Sequence, residues 1–203
     1  MERTLETNAR QTGRVNLISF SRGLGWGLIG GLTGTMAMDL VLVGGLSALG
    51  LPTDTCFLSI GSTVAHFFSL LGIELSGGVM LGIVTFHLLG PVLSAIYGLA
   101  VSQIGALQGV TLKKNVVGAV LYAEVLSQLI LTTMPILLKM SGSATVLWFA
   151  GSFVLHLTWG IVLGFVMHYG LLAVVLGTVA GRGLRQEPAS RSKLVRIHSI
   201  TRG

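Results

Sequence analysis

The sequence has very few charged residues, which make up only 10% of its 203 residues. Soluble domains carry about 25% charged residues, so this chain has too few to cover a water-facing surface. It also has a single cysteine, Cys56, which excludes an internal disulfide. No cysteine and histidine have the spacing of a zinc site, and the H-E-x-x-H, G-x-S-x-G and Walker A motifs are absent. We therefore predict a membrane protein that is not an enzyme.

Apolar residues make up 52% of the chain and are concentrated in four long runs. Each run exceeds the ~20 residues that an α-helix needs to cross ~30 Å of hydrocarbon. The pattern predicts an all-α, polytopic membrane protein with four transmembrane helices arranged as two hairpins. The predicted helices cover about 24–49, 78–104, 115–138 and 144–170. The transmembrane domain, 24–180, lies between a basic N-terminal arm, 1–23, and a basic tail, 181–203.

The net charge of +6 is distributed unevenly along the chain. Every lysine and arginine except Lys139 lies before the first run, after the last run, or between the second and third runs. Loops on the cytoplasmic side of a membrane carry the excess of basic residues. This placement predicts an inner-membrane protein with both termini in the cytoplasm, and it argues against nucleic acid as the partner. Membrane lipid is the expected partner, together with further copies or other membrane subunits.

The segment 55–72 is also apolar, but it is short and Ser59, Ser62, Thr63 and His66 interrupt it. A crossing here would move Lys113 and Lys114 to the opposite side of the membrane. We therefore expect an interfacial helix on the outer face instead of a fifth span.

Four ionisable residues lie inside the apolar runs: Asp39, His87, Glu124 and His156. A charged side chain at the centre of a membrane helix costs about 2.5–3.5 kcal/mol on insertion scales, so such residues usually face a partner and mark function. Depth along each helix predicts a polar cluster of two acid–histidine pairs, Asp39 with His87 and Glu124 with His156. Gln128 lies one turn from Glu124 and belongs to the same cluster.

Three uses of this cluster stay open. The acid–histidine pairs could hold the helices together, or they could line a path for a proton or a small solute. As an alternative, His87 and His156 could be the two axial ligands of a b-type haem. No cofactor is expected in the first two cases, and the sequence indicates no metal ion.

Each hairpin has its acid on the first helix and its histidine on the second. The histidine helices also share short fragments, such as Tyr97-Gly98-Leu99 and Tyr169-Gly170-Leu171. A duplicated hairpin, related by an axis along the membrane normal, would explain this similarity. Chance would explain it too, because glycine-rich apolar helices resemble one another.

Two stretches carry a family resemblance: the glycine-rich run from Gly27 to Asp39, and the run from His156 to Gly164. On these, about 23–171 of the chain resembles a set of small prokaryotic membrane proteins of unknown function, and more distantly the YagU-like proteins. The resemblance implies a four-helix inner-membrane protein. It implies no ligand and no catalytic residue.

Overall fold

The computed structural model describes the backbone of residues 2–104 and 111–200, and the side chains of residues 20–104 and 111–173. All regular structure in these ranges is helical. The helices are α1 (Glu2–Ala48), α2 (Thr55–Ser69), α3 (Val79–Gln103), α4 (Leu112–Leu131), α5 (Thr133–Leu137) and α6 (Gly142–Ile200).

Four segments are long and apolar enough to cross a membrane, which confirms the predicted all-α fold class with four candidate spans; their arrangement as two hairpins stays a prediction. They are Phe20–Ala48, Val79–Gln103, Leu112–Leu137 and Gly142–Ala173. Large apolar side chains such as Leu88, Leu129 and Val146 remain 63%, 69% and 69% exposed on the outside. Lipid would cover such a surface, as expected of a multi-pass membrane protein.

The two outermost helices are longer than the apolar runs. α1 begins at Glu2, within the predicted arm, and α6 continues to Ile200, within the predicted tail. Residues Met1–His168 form one compact unit, and Tyr169–Gly203 form a second unit that consists mainly of the last part of α6. The side chains of residues 1–19 and 174–203 lie outside the described part of the chain.

The third span is interrupted between α4 and α5. Pro135 has no N–H, so it leaves the carbonyl group of Leu131 without its usual helical donor. α4 ends at Leu131, and α5 begins at Thr133. The break therefore lies one turn before the proline, within the third span that the sequence predicts as continuous.

The helices pack through glycines that let their backbones touch. α1 and α3 run antiparallel, and a Cβ atom on Gly27 would lie 2.5 Å from the carbonyl oxygen of Ser94. α6 packs against α4 in the same way, since a Cβ on Gly164 would lie 2.6 Å from the Cα of Val116. Glycines at helix contacts are typical of membrane bundles, where close packing replaces the hydrophobic effect.

This packing makes a prediction about Gly27. Gly27→Ala is expected to destabilise the protein by about 1–3 kcal/mol, because the added methyl group overlaps the backbone of α3. Gly44→Ala on the same helix is the matched control, since its Cβ would meet nothing within 4 Å. Thermal unfolding in detergent measures both variants. Equal unfolding temperatures would contradict the contact.

α2 is a separate 15-residue helix between the first two spans, as the sequence predicts for 55–72. It packs on α3 and also contacts α5. Gly61 and Gly82 form the closest approach between α2 and α3, with Gly82 facing the carbonyl oxygen of Phe57. The location of α2 at the outer membrane surface stays a prediction.

Candidate functional site

Asp39 of α1 and His87 of α3 form an ion pair. The carboxylate oxygen Oδ2 lies 2.9 Å from Nε2 of the imidazole ring. The antiparallel contact between α1 and α3 brings the two residues to the same level. The structure thus contains the first of the two acid–histidine pairs that the sequence predicts.

Both ring nitrogens of His87 face hydrogen-bond acceptors. Nδ1 lies 2.9 Å from the carbonyl oxygen of Ile83, and Nε2 faces Asp39. A carbonyl oxygen can only accept, so Nδ1 donates to Ile83. One proton lies in the bond between Nε2 and Oδ2, and the pair is either an imidazolium ion opposite a carboxylate or a neutral imidazole opposite a carboxylic acid.

Aromatic rings surround the pair. Phe57 of α2 stacks on the His87 ring with centroids 6.5 Å apart, and Phe86 contacts it edge-on at 5.5 Å. The second carboxylate oxygen of Asp39, Oδ1, is buried and has no hydrogen-bond partner. The histidine is thus fully hydrogen-bonded, whereas the aspartate keeps one unused acceptor.

Cys56, at the start of α2, lies close enough to Asp39 for an electrostatic interaction between the thiol and the carboxylate. Burial raises the pKa of the Cys56 thiol to about 11 from an ordinary 9.0, and the negative charge of Asp39 adds to the rise. Only the thiolate reacts with maleimides. Cys56 therefore has an electrostatic link to the ion pair.

We expect Cys56 to react about 100-fold more slowly with a small maleimide at pH 7.5 than an ordinary exposed cysteine. The reason is that a thiol pKa two units higher leaves about one hundredth of the thiolate. The rate should keep rising about tenfold per pH unit above pH 9. Ser69→Cys, at the other end of α2, is the reference in a Cys56→Ser background. Equal rates at pH 7.5 would contradict the predicted thiol pKa.

The predicted second pair, Glu124 with His156, is not joined by a hydrogen bond. Both carboxyl oxygens of Glu124 are buried and lack a partner with hydrogen-bond geometry. Gln128, one turn along α4, is near enough to the carboxyl group for a weak side-chain hydrogen bond, although its geometry is not that of a regular one. Glu124 and Gln128 therefore interact with each other, and neither forms a hydrogen bond with His156.

His156 instead uses its own helix. Its Nδ1 lies 2.7 Å from the carbonyl oxygen of Ser152, which can only accept, so Nδ1 carries the proton. In the neutral ring Nε2 is then an acceptor, and no described residue donates to it. His156 is thus the one predicted histidine that keeps a free lone pair.

A cavity of about 200 Å³ lies beside these residues, and His156 forms part of its wall. α1, α2, α3, α4, α5 and α6 all contribute to the lining, which is mostly aliphatic and aromatic. Thr35, Cys56, Trp148, Ser152 and Trp159 are among its polar members. The cavity therefore has the character of a small-molecule site, apolar with a few polar groups.

A second cavity of about 390 Å³ lies where α1 ends and α6 begins. Its lining includes Leu49 and Leu51, in the loop after α1, and Met140, in the loop before α6. Cys56, Trp148, Ser152 and Leu155 line both cavities. The two spaces thus share a wall, and the larger one lies between the smaller one and the end of the bundle.

The haem hypothesis requires His87 and His156 to face one common space. His87 does not line the cavity that His156 lines, and its Nε2 already bonds to Asp39. These positions do not fit one haem held between the two histidines. Among the described residues, no group of three or more His, Cys, Asp or Glu could hold a metal ion.

Two further polar contacts join the helices, and sequence analysis missed both. Asn115 of α4 bonds to His168 of α6, with Nδ2 and Nδ1 3.1 Å apart. The hydroxyl group of Tyr122 donates to the carbonyl oxygen of Leu93 at 2.7 Å. Asn115, Tyr122 and His168 are polar residues within apolar runs, and this pattern was the sign of such contacts in the sequence. Both contacts satisfy polar groups between helices, which indicates a structural role.

No protein-family model, no curated protein and no solved structure matches this chain.

Proposed function

We propose that the protein carries a small solute across the inner membrane in a step linked to a proton, and that Asp39 and His87 form the proton site. The observation that carries this proposal is the bond between Nε2 and Oδ2, which holds one proton inside the span region. Ionisable residues within membrane spans mark proton relays and ion pathways in pumps and transporters.

The proposed proton site and solute site are neighbours. Cys56 senses the charge of Asp39 and also lines both cavities. With one proton between Nε2 and Oδ2, the pair is neutral overall. Gaining or losing a proton would leave a net charge in an apolar environment. A solute that changes the surroundings of Asp39 would therefore change the affinity of the pair for the proton, which is the coupling that a carrier needs.

The chemistry is transport and not catalysis in this proposal. The chain would work in a lipid bilayer, with copies of itself or other subunits as neighbours. The competing structural hypothesis makes the pair a clamp between α1 and α3. It predicts no transport by the wild-type protein, and a loss of stability when Asp39 is changed.

Vesicles that contain the purified protein and a trapped pH-sensitive dye test the proposal. An imposed pH gradient, with a panel of small solutes outside, should drive proton entry above that of protein-free vesicles. Asp39→Asn should reduce this flux at least about tenfold while the protein stays folded, because an amide can keep a hydrogen bond to His87 but cannot hold the proton. His66→Gln, on the exposed side of α2, should transport normally.

Wild-type vesicles that move no protons with any solute would overturn the proposal in favour of the structural hypothesis. Normal proton flux in Asp39→Asn would show that the Asp39–His87 pair is not part of the proton pathway.

Both termini are proposed to lie in the cytoplasm, on the charge distribution given above. In a Cys56→Ser background, Lys113→Cys should resist a membrane-impermeant maleimide added to intact cells. Leu75→Cys, in the exposed loop after α2, should react. Reaction of the cysteine at position 113 instead would mean that the segment 55–72 crosses the membrane.

A further inference from the structure

The cavity of about 200 Å³ has one feature that an ordinary packing defect lacks, namely an imidazole with a free nitrogen in its wall. Nδ1 of His156 points back to its own helix at Ser152. The opposite edge of the ring, which carries Nε2, must then point away from α6. His156 lines the cavity and Nδ1 is already used, so Nε2 is the ring atom that can offer a hydrogen-bond acceptor to a ligand there.

Three of the hydroxyl groups around the cavity are already engaged as donors. Thr63 donates to the carbonyl oxygen of Ser59, Ser127 to that of Glu124, and Thr133 to that of Ile130. These groups cannot supply the proton that Nε2 of His156 lacks. A ligand with a donor group would supply it.

Three further polar groups in the wall are buried without a hydrogen-bond partner: the hydroxyl group of Thr35 and the indole N–H groups of Trp148 and Trp159. Thr35 and Trp159 are only 1% and 4% exposed. Both lie against Gly90 of α3. A ligand oxygen that reached them through a small side-chain rotation could accept from either one. A hydroxyl group can do both tasks, because it donates one hydrogen bond and accepts others.

The size of the cavity limits the ligand. Apolar cavities of about 150 Å³ in another protein accommodate benzene. The present cavity is larger and takes a six-membered ring with two or three further non-hydrogen atoms. Drug-sized molecules need about 300–1,000 Å³. The remaining wall is apolar, so the body of the ligand must be apolar as well.

We propose that this cavity binds a small apolar molecule with one hydroxyl group, whose O–H donates to Nε2 of His156. The inference deepens the proposed function by naming the class of solute, and it rests on that function only for the idea that the ligand is carried. Binding itself does not depend on the Asp39–His87 pair.

Benzyl alcohol is a suitable probe, and ethylbenzene has the same shape without the hydroxyl group. Both would be titrated into detergent-solubilised protein labelled with ¹⁵N-histidine, at constant detergent concentration. Benzyl alcohol should shift the Nε2 signal of His156 in a saturable way and leave that of exposed His66 unchanged. Ethylbenzene should bind about tenfold more weakly, as one lost hydrogen bond of about 1.4 kcal/mol implies.

His156→Leu should weaken benzyl alcohol binding by a similar factor without weakening ethylbenzene, measured by quenching of tryptophan fluorescence. Equal affinity for the two probes would show an apolar cavity without hydroxyl recognition, and would overturn the proposal. So would the absence of saturable binding in the folded protein. Saturable binding of benzyl alcohol without proton flux in vesicles would leave this site in place and refute the transport proposal alone.

Discussion

His87→Leu is expected to lose about 2–3 kcal/mol of stability, because it leaves the carboxyl group of Asp39 in a membrane span without its partner. Loss of one partner from a fully buried pair typically costs about 3–5 kcal/mol. The expected loss is smaller here because the side chains of His87 and Asp39 are 38% and 27% exposed. Unfolding in detergent with increasing denaturant measures the change.

The double variant Asp39→Leu/His87→Leu separates a role of the pair in stability from a role in transport. It removes both polar groups, so no charge or acceptor remains unpaired, and the protein should regain most of the lost stability. Its proton flux in vesicles should nevertheless be lost. A double variant that is stable and active would contradict a role in transport, whereas one that is less stable than His87→Leu would contradict the pairing itself.

Glu124→Leu is expected to stabilise the protein by about 1–3 kcal/mol, the cost of burying polar atoms without hydrogen bonds. The direction follows from the two buried carboxyl oxygens, which have only a weak interaction with Gln128. The same unfolding experiment provides the measurement. Stabilisation on removal is typical of groups that are kept for function and not for stability.

Gln128→Leu is the matched control, since it lies one turn away on the same face of α4 and loses only its interaction with Glu124. We expect it to be neutral or slightly destabilising. A loss of stability in Glu124→Leu would show that the carboxyl group has a partner that compensates for its burial.

The positions of the spans could be predicted from the sequence because hydrocarbon thickness sets helix length. The predicted third span, 115–138, and the observed Leu112–Leu137 differ by three residues or fewer at each end. Pro135 explains the break after Leu131, since the missing N–H is a property of the residue itself.

The ends of α1 and α6 could not be predicted in this way. Helix formation does not stop where hydrophobicity stops, and the polar residues before Phe20 contain no proline and only one glycine, Gly13. α1 therefore continues back to Glu2. Apolar runs define where a helix meets lipid, not where the helix ends.

The candidate site was predicted only in part, for a geometric reason. Depth along a helix follows from sequence position at ~1.5 Å per residue, and it correctly placed Asp39 level with His87. The rotation of each helix about its own axis depends on packing and cannot be calculated from depth. His156 therefore lines a cavity and bonds to its own backbone, while Glu124 and Gln128 of α4 do not line that cavity.

The cavity was invisible to sequence analysis for the same reason. Its wall combines residues that are more than 100 positions apart, such as Thr35 and Trp159. The glycines at helix contacts could be recognised from their spacing, but the space left between the helices could not.

The ¹⁵N NMR spectrum of histidine-labelled protein at pH 7 tests the central claim most directly. The Nε2 signal of His87 should depend on its hydrogen bond to Asp39, so Asp39→Asn should shift this signal, whereas Nδ1 should carry a proton in both proteins. His156 should carry a proton on Nδ1 and show no change between the two proteins. The same Nε2 signal of His87 in wild type and Asp39→Asn would contradict the shared proton and, with it, the proposed proton site.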